Sequence, residues 1–208
     1  MRRLVRECKA RKFETIGIMF MRNRFQFARS HYREWVQNWN NALPFPKYVK
    51  ERRKQWDFVA IAERMNRIFD GNMHYHSYVP GHDTVKVFTD LLSLPKLAPV
   101  QLQNPSLNAI EAEAARLLIE QGVKDYQPHL EAKRTRLLAL AGDGGVKAFS
   151  EDLDQKPLRE TRGEAQRLMQ ATNLPEDEVR ALLDLPHKEA EKIIRLRGDI
   201  AREIGLAA

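Results

Sequence analysis

The stretch FETIGIMFMRNRFQFARSHYREWVQNW, residues 13–39, decides the predicted fold. Its apolar residues recur at steps of three and four, which is typical of one face of an α-helix. The stretch therefore predicts a single long helix, and the same spacing favours burial of this face against other helices. The residues of this apolar stripe are Ile18, Met21, Phe25, Ala28, Tyr32, Trp35 and Trp39.

Four arginines and two phenylalanines lie beside the stripe and form the first part of a predicted partner-binding surface. Guanidinium groups pair with phosphates or carboxylates, while aromatic rings stack on bases or pack against another protein. Rings that the chain itself leaves uncovered would require a partner protein. The six residues are Phe20, Arg22, Arg24, Phe27, Arg29 and Arg33.

Charge is distributed unevenly along the 208 residues. Residues 1–70 carry a net charge of +10 and twelve of the seventeen aromatic residues, whereas residues 71–208 carry a net charge of −3. This asymmetry indicates an anionic partner for the N-terminal third: RNA or DNA, an anionic lipid surface, or an acidic protein. The alternative interpretation is a solvated basic face without a dedicated partner.

A second helix is predicted from about residue 47 to residue 69. Pro44 and Pro46 separate it from the first helix, because proline lacks a backbone N–H and disfavours helical geometry in the residue before it. The start of this helix is basic, which opposes the helix dipole and suggests that an external anion or partner compensates the charge. This basic cluster completes the predicted partner-binding surface: Lys50, Arg52, Arg53 and Lys54.

No strand-like alternation appears, so the expected class is all-α. The sequence predicts that residues 1–94 form one basic aromatic region. Its parts are an N-terminal arm, the two long helices as a hairpin, a histidine-containing loop and a short helix near residues 84–92. The short helix places Val85, Phe88, Leu91 and Leu92 inward. Residues 95–106 predict a proline-rich extended strap, which contains Pro95, Pro99 and Pro105.

Residues 107–208 predict a bundle of shorter helices. Ser106 is the expected N-cap of the first, which Gly122 closes. Prolines open several of the others, because proline suits the first turn of a helix. The predicted starts lie near residues 107, 128, 146, 157, 175 and 186, and their irregular spacing argues against a helical-repeat array.

His74 and His76 are two residues apart, and His82 and Asp83 follow. In an extended segment the first two side chains point the same way, so two imidazoles could bind one metal ion. A single His-X-His without a second ligand motif is a weak metal signal and is more typical of a polar loop whose histidines form local hydrogen bonds. We therefore assign no metal and no cofactor.

Residues 179–194, VRALLDLPHKEAEKII, resemble the helix-turn-helix of DNA-binding proteins, with a short turn at residues 184–186. The resemblance implies that the second helix enters the major groove. The segment departs from the pattern at Asp184, where glycine is usual. Glu189 and Glu191 on the reading helix would repel phosphates. Two helices joined by a tight turn are also an ordinary packing unit.

Recognisable catalytic motifs are missing from the sequence, including a phosphate-binding glycine loop, His-Glu-X-X-His and Gly-X-Ser-X-Gly. Cys8 is the only cysteine, which excludes an internal disulfide and a four-cysteine zinc site. No apolar run is long enough to span a bilayer. The first thirty residues are rich in arginine and contain only two acids, which is compatible with a mitochondrial targeting segment.

These observations predict a non-catalytic accessory subunit of a large multiprotein assembly. A mitochondrial assembly is the first expectation: a respiratory-chain or ATP synthase complex, or the mitochondrial ribosome. The cytoplasm is the alternative location. The alternative function is nucleic-acid binding, either of RNA by the basic N-terminal helices or of DNA by the C-terminal helix pair.

Overall fold

The structure is a computed structural model and describes residues 1–78, 84–95, 107–140, 158–184 and 194–206. Within these ranges the chain forms ten α-helices, two β-strands and a 3₁₀ turn at Arg53–Gln55. In chain order the elements are α1 Arg2–Ala10, β1 Gly17–Arg22, α2 Arg24–Trp39, α3 Phe45–Glu51, α4 Phe58–Ile68, β2 Met73–Tyr78, α5 Thr84–Leu91, α6 Ala109–Glu120, α7 Gln127–Ala139, α8 Glu164–Thr172, α9 Glu176–Leu183 and α10 Ile194–Glu203.

The mostly helical class is confirmed, but the expected absence of strands is wrong. The predicted long helix divides at Asn23, where strand β1 ends and helix α2 begins. The Asn23 side-chain oxygen accepts hydrogen bonds from the backbone N–H groups of Phe25 and Gln26, at 3.1 and 3.2 Å. Asparagine is a preferred N-cap because its side chain satisfies the first free N–H groups of a helix.

The apolar stripe is also shorter than predicted. On α2 the fully buried side chains are Phe25, Ala28, Tyr32 and Val36. Trp35 is half-buried, and Trp39 is 67% exposed. The buried stripe therefore ends at Val36. Trp39 lies on the same side of the helix as Tyr32, but it is the last residue of α2 and its ring is left exposed.

The predicted second helix is three elements: α3, the 3₁₀ turn and α4. Asp57 begins α4 as its N-cap, and its side chain accepts a hydrogen bond from the Ala60 N–H at 3.0 Å. Trp56 in the break is buried. The cap and this buried ring stop the helix from running through residues 52–57.

Three smaller expectations also need correction. Asn108 caps α6, in a capping box with Glu111, and Ser106 lies outside the described residues. On α5 the Val85, Phe88 and Leu91 side chains are exposed. Helix α8 starts at Glu164, later than predicted.

Several predictions fall outside the described residues. They concern residues 79–83, most of the strap, the helix near residue 146 and the turn of the helix-turn-helix segment. Among the helices of the described ranges, none has both the length and the apolar character needed to cross a membrane.

The chain forms two compact units, each built from separate stretches of sequence. Unit 1 comprises Met1–Gln26, Arg53–Gln101 and Leu158–Leu185, and unit 2 comprises Phe27–Arg52, Leu102–Pro157 and Pro186–Ala208. The predicted contiguous regions 1–94, 95–106 and 107–208 stay predictions.

Unit 1 is built around the sheet, on which helices α8 and α9 pack beside β2, and α8 also packs against α4. Asn66 of α4 donates a hydrogen bond to the carbonyl of Ala171 in α8 at 2.7 Å. Asn23 donates two more to the carbonyls of Ala181 and Asp184, each at 2.8 Å. These bonds tie the turn between β1 and α2 to helix α9.

The regular elements of unit 2 are all helices within its described residues, and α6, α7 and α10 pack on one another. Tyr126 donates a hydrogen bond to the carbonyl of Gln37 at 2.8 Å, which fastens the start of α7 to α2. Arg116 is buried and forms ion pairs with Glu113 and Glu120. Burial alone would lower the Arg116 pKa, but hydrogen bonds and charge from these carboxylates outweigh it and raise that pKa.

Candidate interaction site

The two strands of unit 1 pair in parallel, from Gly17 opposite Met73 to Arg22 opposite Tyr78. Paired residues of neighbouring strands share a face of the sheet, and faces alternate along each strand. One face therefore carries residues 17, 19, 21, 73, 75 and 77. The other, which we call the open face, carries Ile18, Phe20, Arg22, His74, His76 and Tyr78.

The first face is covered by the helices of unit 1. Met21 is 2% exposed and Tyr75 is 7% exposed. The Tyr75 hydroxyl lies 3.0 Å from the Ala62 carbonyl and 2.9 Å from the side-chain oxygen of Asn66, both on α4. Burial raises the Tyr75 pKa to about 12, so the hydroxyl keeps its one proton and can donate it to either of these two oxygens. Ser77 donates a hydrogen bond to Glu178 of α9.

The open face is only half-buried, and its His74 is exposed. The Phe20 and His76 rings lie 5.5 Å apart, and the Arg22 guanidinium lies 4.4 Å from the centre of the Tyr78 ring. The Nε2 atom of His76 is buried without a hydrogen-bond partner among the described residues. A buried polar atom in this state costs free energy.

The outer edge of β1 is also unpaired within the described residues, where the sheet has two strands. The Gly17 N–H donates to the Asn72 carbonyl at 2.9 Å, so residues 17, 19 and 21 direct their backbone groups toward β2. Because these directions alternate along a strand, the N–H groups of Ile18 and Phe20 point away from β2. Unpaired strand edges of this kind readily accept another strand.

The two strands differ in composition, and the difference indicates which of them is better suited to accept a further strand. The segment from Ile16 to Met21 is continuously apolar apart from Gly17, as expected for an interior strand of a parallel sheet covered on both faces. Strand β2 reads MHYHSY and alternates with histidines, which suits the edge of a sheet. Ile16, next to β1, is nevertheless 46% exposed.

Of the predicted partner-binding residues, five lie in unit 1. Phe20 and Arg22 are on the open face, and Arg53 and Lys54 are exposed in the 3₁₀ turn. Arg24 is buried: its guanidinium forms an ion pair with the equally buried Glu164 and donates a hydrogen bond to the Leu158 carbonyl at 3.2 Å. A side chain held in this way serves the core of unit 1.

The other five predicted residues lie in unit 2. Phe27, Arg29 and Arg33 are half-buried, and Arg33 donates a hydrogen bond to the Leu107 carbonyl at 3.3 Å. Lys50 is exposed at the end of α3. The Arg52 guanidinium lies 3.9 Å from the centre of a Trp35 ring, which is the distance of a cation–π contact. The ten residues therefore do not form one surface within either unit.

An aromatic cluster in unit 2 surrounds this contact. Trp35 stacks on the exposed Trp39 with ring centres 5.7 Å apart. The His31 ring centre lies 6.0 Å from that of Trp35 and 6.1 Å from that of Tyr48. His31 shares a hydrogen bond with the Tyr48 hydroxyl. Burial lowers the His31 pKa, Glu34 opposes this shift and Arg52 adds to it. Burial also raises the Tyr48 pKa, so the neutral histidine and the protonated tyrosine are the favoured pair.

The histidines of β2 do not form a metal centre in the described structure. His74 is exposed and His76 packs on Phe20, while His82 lies outside the described residues. Within the part of the chain that the structure describes, no group of three or more His, Cys, Asp or Glu side chains could hold a metal ion.

Comparisons with protein-family models, with curated proteins and with solved structures find no match to this chain. The open face and the β1 edge are therefore the main basis for a functional argument. Sequence reasoning found Phe20 and Arg22 but missed the strand that presents them. The uninterrupted apolar run from Ile16 to Met21 was the available signal.

Proposed function

We propose that this protein is a non-catalytic accessory subunit of a larger protein assembly, and that strand β1 is its docking strand. The partner supplies a parallel strand along the outer edge of β1 and apolar side chains over the open face. The mitochondrial location, in a respiratory-chain or ATP synthase complex or in the ribosome, stays part of this proposal on composition alone.

The observation that carries the proposal is the incompleteness of the sheet. Parallel sheets are found almost only where both faces are covered, and two strands alone are marginally stable in water. Among the residues that the structure describes, one face is covered by α4, α8 and α9, whereas the apolar β1 has an unpaired edge and a half-buried face. A polypeptide strand supplies both the backbone hydrogen bonds and the apolar cover, and neither a small ligand nor a nucleic acid supplies both.

The sequence analysis connects a partner protein with aromatic rings that the chain leaves uncovered, and the structure shows which rings these are. The rings of Tyr32, Tyr48 and Trp56 are buried and need no partner to cover them, whereas the Trp39 ring at the end of α2 is 67% exposed. Uncovered apolar side chains also lie in the segment just before β1, where Phe13 is 63% exposed and Ile16 is 46% exposed. This surface is the part of the N-terminal third that supports an assembly role.

A charged side chain at the proposed interface tests the proposal. The Ile16→Lys variant should release the protein as a free monomer when it is purified under mild conditions from its own cells. Leu138→Lys on α7 is the matched control. Leu138 is similarly exposed, at 43%, and it belongs to unit 2, whereas β1 belongs to unit 1. Retention of both variants in the assembly would contradict docking by β1, and so would a wild-type protein that is a monomer.

RNA binding is the second candidate function, and the aromatic cluster of unit 2 favours it. The exposed Trp39 stacks on Trp35, which Arg52 contacts, and Lys47 and Lys50 are exposed on α3. Exposed rings with neighbouring cations are what single-stranded nucleic acids bind. Loss of RNA affinity as salt rises would support this function, and no binding at low salt would exclude it.

A further inference from the structure

Unit 1 contains a cavity of about 330 Å³ between helix α1 and the C-terminal end of helix α4. Val5 and Ile68 contribute its apolar lining, and Val5 is buried. Its charged lining comes from Arg2, Arg6 and Lys9 of α1, from Arg67 of α4, and from Asp70 just beyond α4.

The charges around this cavity do not balance. Four cations line it with one carboxylate, and that carboxylate already forms an ion pair with Lys9. Arg67 in the last turn of α4 is favourable for the helix dipole, but Arg2 opens α1, whose first turn has no acidic residue. Arg2, Arg6 and Arg67 all line this one space and are exposed, and an anion bound among them would reduce the repulsion between their like charges.

We propose that this cavity binds a doubly charged phosphate group, either a phosphate monoester or a pyrophosphate. Guanidinium groups match phosphate oxygens with two parallel hydrogen bonds, and three of the four cations here are arginines. The volume accommodates a phosphorylated headgroup or a small phosphorylated metabolite. The site is independent of the β1 edge and would exist in the isolated protein.

Inorganic pyrophosphate is the first probe, with binding measured by calorimetry on the full chain at low salt. Arg6→Gln should weaken binding about tenfold, because it removes one charge-assisted contact. Arg3→Gln is the matched control, since Arg3 lies on the same helix but does not line the cavity. Asp70→Asn should tighten binding, because it removes the competing carboxylate, and asparagine tolerates the left-handed backbone found at this position.

Equal weakening by Arg6→Gln and Arg3→Gln would overturn the site in favour of diffuse surface charge. Absence of pyrophosphate binding would overturn it as well, and so would weaker binding by the Asp70→Asn variant. None of these results bears on docking by β1, which is read from the Ile16→Lys variant.

Vesicles distinguish the two sources of the phosphate group. Phosphatidylcholine vesicles with and without a phosphatidylinositol monophosphate are sedimented with the protein, in the presence and absence of pyrophosphate. Binding that needs the phosphorylated lipid and is competed by pyrophosphate identifies a headgroup site. Pyrophosphate binding without vesicle binding identifies a soluble ligand. Vesicle binding that pyrophosphate leaves unchanged counts against the cavity.

Discussion

The rings of Phe20 and His76 lie 5.5 Å apart on the open face of the sheet, and the Nε2 atom of the same histidine is buried without a hydrogen-bond partner among the described residues. The pair therefore combines a favourable ring contact with an unsatisfied polar atom. A buried polar atom without a hydrogen bond destabilises the fold, so its removal should stabilise the isolated protein.

The first prediction follows from this pair. His76→Phe keeps the ring contact and removes the unsatisfied nitrogen, so the free energy of unfolding of the isolated protein should rise by about 1–3 kcal/mol. Urea denaturation measures this change. His74→Phe, at the exposed histidine of the same strand, should leave the free energy of unfolding nearly unchanged. A destabilised His76→Phe variant would show that Nε2 already has a partner.

The buried ion pair of Arg24 and Glu164 gives the second prediction. Glu164→Gln leaves the Arg24 charge buried and unpaired, so the free energy of unfolding should fall by about 3–5 kcal/mol. Thermal and urea unfolding both report it. Glu176→Gln, which breaks the exposed pair of Glu176 with Arg180, is the matched control and should have no measurable effect. Equal effects of the two variants would contradict the burial of Arg24.

The third prediction concerns pH. Burial lowers the His31 pKa in the folded protein, so the unfolded chain binds more protons as the pH falls below about 6.5. The contribution of neutral His31 to the free energy of unfolding is therefore fully present above that pH. It is lost as the pH falls from there toward the lowered pKa of His31 in the folded protein. His31→Asn should flatten the decline in unfolding free energy between pH 7 and pH 5. His129→Asn on the exposed part of α7 should retain the wild-type decline; an unchanged profile for His31→Asn would refute the assignment.

The fourth prediction separates the two candidate functions. If the aromatic cluster of unit 2 binds single-stranded RNA, Trp39→Ala should cost about 1–3 kcal/mol of binding free energy for one stacked base. Fluorescence anisotropy with an oligonucleotide measures the loss. Phe13→Ala, at an exposed ring in unit 1, is the control. Equal losses for both variants would indicate binding by general charge and not by the cluster.

Helix α2 shows how far local pattern predicts this fold. The buried face at Phe25, Ala28 and Tyr32 follows from the three-and-four spacing of apolar residues, and the structure confirms it. The same spacing continued backward through Met21 and Ile18 predicts more helix, and that prediction is wrong. A short apolar run fits a strand equally well, and pairing with β2, more than fifty residues later, decides between them.

The burial of Arg24, which the sequence predicts as a partner-binding residue, has a related reason. Arg24 stands in a basic segment, and only the folded chain brings Glu164, 140 residues away, to its guanidinium. Phe20 and Arg22 lie on the open face, but the sequence placed them on a helix. A pattern of neighbouring residues does not reveal which distant residue will contact a side chain, and that contact determines whether the side chain is buried or free to bind.

The most direct test of docking by β1 is residue-resolved hydrogen exchange of its backbone amides, in the isolated protein and in the native assembly. Docking by a partner strand predicts that the Met19 and Met21 amides exchange slowly in both states. The Ile18 and Phe20 amides should exchange rapidly in the isolated protein and slowly in the assembly. Slow exchange of Ile18 and Phe20 in the isolated monomer, or no change on assembly, would contradict the proposal.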